Sequence, residues 1–221
     1  ELSGIANVMV APPMPFLPEA AHGRLVVLGL LCYAGDAAAG ERALAPFRAL
    51  AEPLADMLQP GPYAVMFPPE EGAAEEYHPT AVSHTMFMDT VDRQMADTII
   101  EQLQASDALV RVVQLRALGG AMARVPVEAT AFAHRHSRIM ANVAAFYEGP
   151  ADRDRRQAWV DDTAAALQQG DEGAYVNFLG DERPGRVRQA YPGSTWDRLV
   201  EVKRRYDPDN LFRRNHNIPP A

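Results

Sequence analysis

Cysteine is nearly absent from this sequence; Cys32 is the single one. One thiol cannot close an internal disulfide, so no disulfide framework is expected. That usage fits a reducing compartment, and a cytoplasmic location is the expectation. Cysteine and histidine together give no set at zinc-ligand spacing, so no metal site is expected. Basic residues are in deficit too: 21 Lys and Arg stand against 29 Asp and Glu, a formal net charge of -8. An acidic chain is repelled by phosphate backbones and anionic headgroups, which argues against nucleic acid or a membrane surface as partner. Long apolar runs are also lacking. The best one, Leu25 to Tyr33, has strand length and falls far short of the ~18 residues of a membrane span. The start shows no signal-peptide pattern. It opens Glu1-Leu2-Ser3-Gly4 without a Met, and the expectation is a piece cut from something longer.

What is present suits a globular protein. The 221 residues are 48% hydrophobic and 23% charged, enough for one large domain or two small ones. Ile5 to Val10 reads as a short strand stopped by Pro12-Pro13. Arg24 to Tyr33 is a near-continuous apolar run between turn residues and predicts a buried strand. In Ala37 to Leu58 the residues Leu44, Phe47, Leu50, Leu54 and Leu58 recur at helical spacing, with Pro46 and Pro53 splitting or kinking the helix. Tyr63 to Phe67 predicts a strand, and Pro68 to Pro79 an acidic loop. Further strands are expected over His84 to Met88, Val110 to Leu118 and Ile139 to Tyr147, with Ala121 to Val125 continuing the sheet after a Gly119-Gly120 turn or bulge. Helices are expected over Asp92 to Gln104 and Arg153 to Gln169, the latter capped near Gly170. Two pieces read strand, helix, strand, yet clean parallel alternation is lacking. The fold class is therefore α+β: a mostly antiparallel sheet covered on one face by helices, the other face left free.

Organisation changes at Ala174, which divides the chain into 1–173 and 174–221. Tyr175 to Leu179 predicts a C-terminal strand. Gly185 to Tyr191 and Trp196 to Tyr206 predict short helices, followed by an Asp207-Pro208-Asp209-Asn210 turn. This segment has little core of its own and should pack against something else.

Two motifs here carry a resemblance: Gly173-Ala174-Tyr175-Val176-Asn177-Phe178, and downstream Tyr206-Asp207-Pro208-Asp209-Asn210-Leu211-Phe212. The pair resembles the C-terminal signature of the berberine bridge enzyme-like FAD-linked oxidases, within the vanillyl-alcohol oxidase / p-cresol methylhydroxylase superfamily. Leu118 to Ala121, Phe132 to Arg135 and, more weakly, Asn7 to Pro13 extend the likeness. It implies an FAD cofactor held mainly by an N-terminal FAD-binding domain absent from this chain, and a small-molecule substrate between the two. It also implies that Tyr175 and Asn177 sit by the flavin. On a strand they would share a face, and an Asn amide both donates and accepts, as flavin ring atoms require. The alternative is that they merely close an edge strand.

Relatives often place a tyrosine base at the fourth motif position, where this chain has Phe178. The position implied to match a facing Glu or Gln of some relatives is Asn142, which is no base either. Remaining candidates for the chemistry are Tyr147, Gln114 and Arg116, with His134 and His136 behind them. Gln114 and Arg116 share one face of a strand, and an Arg there suits an anionic or sugar-like substrate; the alternative is a plain surface Arg. His134 and His136 are expected to cap or to face solvent. Gly119-Gly120 lacks dinucleotide-loop spacing and no helix is expected directly after it. Cys32 reads as a small buried hydrophobe.

The resemblance thus implies an FAD-linked oxidoreductase in the full-length protein, moving a hydride from an alcohol, sugar or secondary metabolite to flavin. This part alone is expected to be inactive, and its free sheet face to favour a homodimer. The alternative reading is a free-standing, non-catalytic ligand-binding or protein-interaction domain.

Overall fold

A computed structural model describes residues 1–66, 80–180 and 185–220. Five strands form one antiparallel sheet in the order β2-β1-β4-β5-β3. In chain order these are β1 (Leu2–Val10), β2 (Leu25–Tyr33), β3 (Ala81–Met88), β4 (Arg111–Ala117) and β5 (Ile139–Phe146). The helices are α1 (Ala37–Arg48), α2 (Arg93–Ala105), the single turn α3 (Gly120–Ala123), α4 (Pro150–Leu167), α5 (Gly185–Ala190) and α6 (Ser194–Tyr206). The predicted α+β class is what the chain adopts.

Side-chain alternation decides which residues enter the core. Val82, Met86, Met88, Val113, Ala141, Val143 and Ala145 point to one face and are buried against Ile99 and Leu103 of α2 and Val160, Ala164 and Leu167 of α4. Asp92 starts α2 by accepting from Met95 N at 2.8 Å, which satisfies a backbone donor that the first helical turn leaves free. Trp159 of α4 donates to Gln102 O at 2.9 Å and so ties α4 to α2. Among the described residues no helix is long and apolar enough to cross a membrane.

Five expectations need correction. The helix predicted from Ala37 stops at Arg48. Pro46 is tolerated in its last turn, but Pro53 disfavours helical backbone at Glu52, and Leu50 and Leu54 end up exposed. Tyr63 to Met66 is a turn of 3-10 helix, not a strand; the loop predicted over Pro68 to Pro79 lies outside the described residues. Leu25 to Tyr33 is a strand but not a buried one. As β2 it forms an edge of the sheet, where Val27 is 68% and Leu30 50% exposed. Ala121 to Val125 does not continue the sheet. Gly119 and Gly120 take φ of 126° and 54°, values that divert a strand, and one helical turn follows directly. Finally, Tyr175 to Leu179 is no strand. Phe178 N donates to Tyr175 O at 2.9 Å and Leu179 N to Val176 O at 3.1 Å, which closes a 3-10 turn.

Candidate functional site

The sheet face opposite α2 and α4 carries an unusual row. Register places Thr85 (β3), Asn142 (β5), Gln114 (β4), Asn7 (β1) and Leu28 (β2) side by side across all five strands. Four of the five are polar, in strands that are otherwise mostly apolar. Their hydrogen bonds run in one direction. Arg116 Nε and Nη2 donate to Gln114 Oε1 at 2.9 and 2.6 Å. Gln114 Nε2 donates to Asn7 Oδ1 at 2.7 Å, and Asn7 Nδ2 to Leu28 O at 3.2 Å. The relay stops short of Asn142, whose Oδ1 is buried without a donor among the described residues; the buried Thr85 hydroxyl likewise has no partner among them.

A string of rings joins this row to the C-terminal segment. Phe87, fully buried on β3, stacks on His134 with centroids 4.1 Å apart. Phe132 meets His134 edge-on at 6.0 Å and Tyr175 at 5.8 Å. Tyr175 is 5.8 Å from Phe178, and the Arg116 guanidinium lies 4.9 Å over the Phe178 ring. Backbone anchors complete the attachment: Arg186 of α5 donates to Thr85 O at 2.8 Å, and His216 bonds Leu179 O at 3.0 Å.

Of the residues singled out from the sequence, Gln114, Arg116 and Asn142 come together with Tyr175 in this cluster. Tyr175 and Asn177 are paired, though not by strand geometry: the 3-10 turn lets Asn177 Nδ2 donate to the Tyr175 hydroxyl at 2.9 Å. Tyr147 does not join them. It follows β5 on the opposite parity to Asn142 and packs against the core under α2 and α4. His134 does not face solvent: it is buried, while His136 is exposed. Burial holds the His134 pKa below its usual value, against a weaker pull from Asp171, so the neutral ring is favoured. Burial likewise lowers the Arg116 pKa, with Tyr175 pulling the other way.

Sequence reasoning missed Asn7, Thr85, Phe87 and Phe132 as parts of this site. The signal was available for Asn7: like Gln114 and Asn142, it is an amide at an alternating position of a strongly apolar strand. The same geometry explains Gly173. A Cβ there would lie 2.5 Å from His134 Cε1 and 2.8 Å from Nδ1, a contact no side chain tolerates without movement. Gly173→Ala is therefore expected to cost about 1–3 kcal/mol. A urea titration against the parent checks it; an unchanged midpoint would mean that His134 moves aside freely.

The second motif is a hub built on Asp207. Its carboxylate accepts from Leu211 N at 2.7 Å and Phe212 N at 3.0 Å and also pairs with Lys203. The hydrogen bond from Lys203 holds the Asp207 pKa below the usual carboxylate range. Asn210, at φ 51°, supplies the left-handed step of this turn. Leu211 and Phe212 are left exposed at 76% and 78%.

Residues 174–219 match the family described as Berberine and berberine like. That stretch is similar to the family's C-terminal domain. The uncharacterised FAD-linked oxidoreductase YvdP of Bacillus subtilis is 35% identical over 103 residues, which is 47% of this chain and 23% of that protein. Cannabidiolic acid synthase-like 1 of Cannabis sativa is 32% identical over 142 residues, 56% of this chain and 26% of the relative. The crystal structure of 6-hydroxy-D-nicotine oxidase from Arthrobacter nicotinovorans superposes with a TM-score of 0.73 at 18% identity, covering 100% of this chain and 48% of that one. The chain thus spans under half of that fold, and its aligned part about a quarter of each curated relative. The matched residues include the 3-10 turn, the Asp207 hub and the tail anchored on Leu179.

The FAD named for relatives can be tested against these residues. The ring end of such a cofactor needs mixed donors and acceptors beside an aromatic wall. Asn177, exposed and paired with Tyr175, supplies that chemistry at the margin of the polar face, and the orphaned Asn142 Oδ1 shows that the row is not complete by itself. The residues fit the ring end of the cofactor. The Gly119-Gly120 turn opens only a four-residue helix, which makes no phosphate cradle.

Proposed function

We propose that this chain is the substrate-facing and C-terminal part of an FAD-dependent oxidoreductase whose flavin is held mainly by a separate N-terminal domain. The observation that carries the reading is the polar row joined, through Arg116 and Phe178, to the Tyr175–Asn177 pair of the berberine-like segment. FAD, when bound, supplies an acceptor for a hydride from a substrate carbon. The residues of this chain do the rest. Tyr175 and Asn177 border the ring and fix its orientation. Because Asn177 donates to the Tyr175 oxygen, the Tyr175 proton is free to bond a ligand acceptor. Gln114, Arg116 and Asn142 face the small-molecule substrate, and the Phe87–His134–Phe132 wall keeps water from the inner side of the row. Phe178 contributes a wall where relatives are implied to place a base, so the substrate proton passes to water.

The division at 173/174 belongs to the same proposal. It is supported by a second, small core of Ala174, Leu179 and Ala190, separate from the sheet core. Self-association through the free sheet face, and a cytoplasmic location, are also proposed.

The test is Asn177→Ala in the longer, FAD-loaded protein. One lost hydrogen bond of about 1–1.5 kcal/mol should slow anaerobic flavin reduction roughly tenfold and shift the flavin spectrum. A variant with unchanged flavin behaviour but altered assembly would favour the interaction-domain reading.

A further inference from the structure

We propose that the group this sheet face is built to hold is a carboxylate seated on Arg116, so that the substrate is an organic acid. The inference rests on the flavin reading above and adds the substrate class to it.

The argument starts from which edges of the guanidinium are used. Gln114 Oε1 takes both Nε and Nη2 of Arg116, which occupies the side edge. The Phe178 ring covers one of its flat faces. The end edge, Nη1 with the second Nη2 proton, has no hydrogen-bond partner among the described residues. That edge matches two carboxylate oxygens in a parallel fork. Arg116 also forms no ion pair with an Asp or Glu among the described residues; the pairs present, such as Arg48–Asp56, Arg156–Asp152 and Lys203–Asp207, lie elsewhere.

This cation is oriented with care and then left unpaired. Gln114 is itself held by Asn7, and Asn7 by the Leu28 carbonyl, so three bonded groups fix one guanidinium. Partial burial without an anion is unfavourable for an arginine, as its lowered pKa reflects. A surface arginine needs no such buttress. Every acceptor of the relay is already engaged, so what the relay presents to a ligand is donors on a positive charge. A neutral sugar or alcohol would leave that charge unmatched; a carboxylate matches both the charge and the fork.

The test uses benzoate and its neutral isostere benzamide, titrated into the FAD-loaded longer protein and followed by flavin absorbance. Benzoate should bind about tenfold or more tighter than benzamide, less so as KCl is added. Arg116→Gln should weaken benzoate about 10- to 100-fold and benzamide less than about threefold. Equal affinities, or a benzoate-to-benzamide ratio that survives Arg116→Gln, overturn the proposal. A variant that keeps the ratio but lowers the flavin midpoint potential also overturns it, because Arg116 would then serve the cofactor. The same titration of flavin-free protein, read at the Arg116 Nε–H resonance, separates this inference from the functional reading. A shift with benzoate and none with benzamide keeps the carboxylate seat even if FAD never binds; no shift with either removes it.

Discussion

Phe87→Ala should destabilise this protein by about 3–5 kcal/mol, the cost of removing a large buried aromatic and leaving a cavity. At this chain length that corresponds to a fall in Tm of roughly 6–20 °C. Phe87 is fully buried, and it stands on the polar face of the sheet, not in the core under α2 and α4. It lies beside Met140 in the same row as Arg116. Its ring carries His134 at 4.1 Å, and Phe132 lies 6.4 Å away, edge-on. Through these two it supports Tyr175 and the turn that follows. Loss of the ring should therefore do more than lower stability. The segment from residue 174 onward should become more accessible to protease while α2 and α4 stay protected. Thermal melts and timed limited proteolysis check both parts. A loss below about 1 kcal/mol, or uniform protection along the chain, would show that His134 and the C-terminal segment dock without this ring.

Asn142→Leu should act in the opposite direction and raise stability by about 1–3 kcal/mol. Asn142 is 8% exposed, and its Oδ1 is buried with no donor among the described residues. An unpaired buried acceptor forfeits its hydration without recompense. A leucine of similar shape removes that penalty and adds apolar contact with Met140 and Ala144 on the same strand face. At two to four degrees per kcal/mol, the expected rise in Tm is roughly 2–12 °C. Gain of stability together with lost turnover in the loaded protein would mark Asn142 as a residue kept for the ligand, the usual trade at a functional site. A destabilised Asn142→Leu would mean that the amide meets a partner in solution and that the row is structural.

Much of the sheet was legible from local pattern. Period-two alternation placed Gln114 and Arg116 on one face, and β3, β4 and β5 begin and end within a few residues of the expected positions. The helical stripe Met95, Ile99 and Leu103 was equally plain, because burial of one helix face is written at the spacing of three and four residues. Errors fell where backbone chemistry or distant partners decide. Tyr175 to Leu179 has the composition of a strand but lacks a neighbouring strand to pair with, and it closes on itself as a 3-10 turn. Ala121 to Val125 is apolar enough for a sheet, yet two glycines at positive φ turn it away. Leu25 to Tyr33 looks like an interior strand, and strand composition alone does not say which strand lies at the edge.

The sequence by itself determined the fold class, the parity of each strand and the two C-terminal motifs that mark the berberine-like segment, because each rests on residues close together in the chain. Only the tertiary structure decided which of the candidate residues meet. The order β2-β1-β4-β5-β3 puts Asn7, Gln114 and Asn142 in one row from three distant stretches. It also sends Tyr147 to the other face and buries His134 on Phe87. Alternation within a strand fixes which face each residue takes, but the order of the strands is settled by packing between residues far apart in the chain.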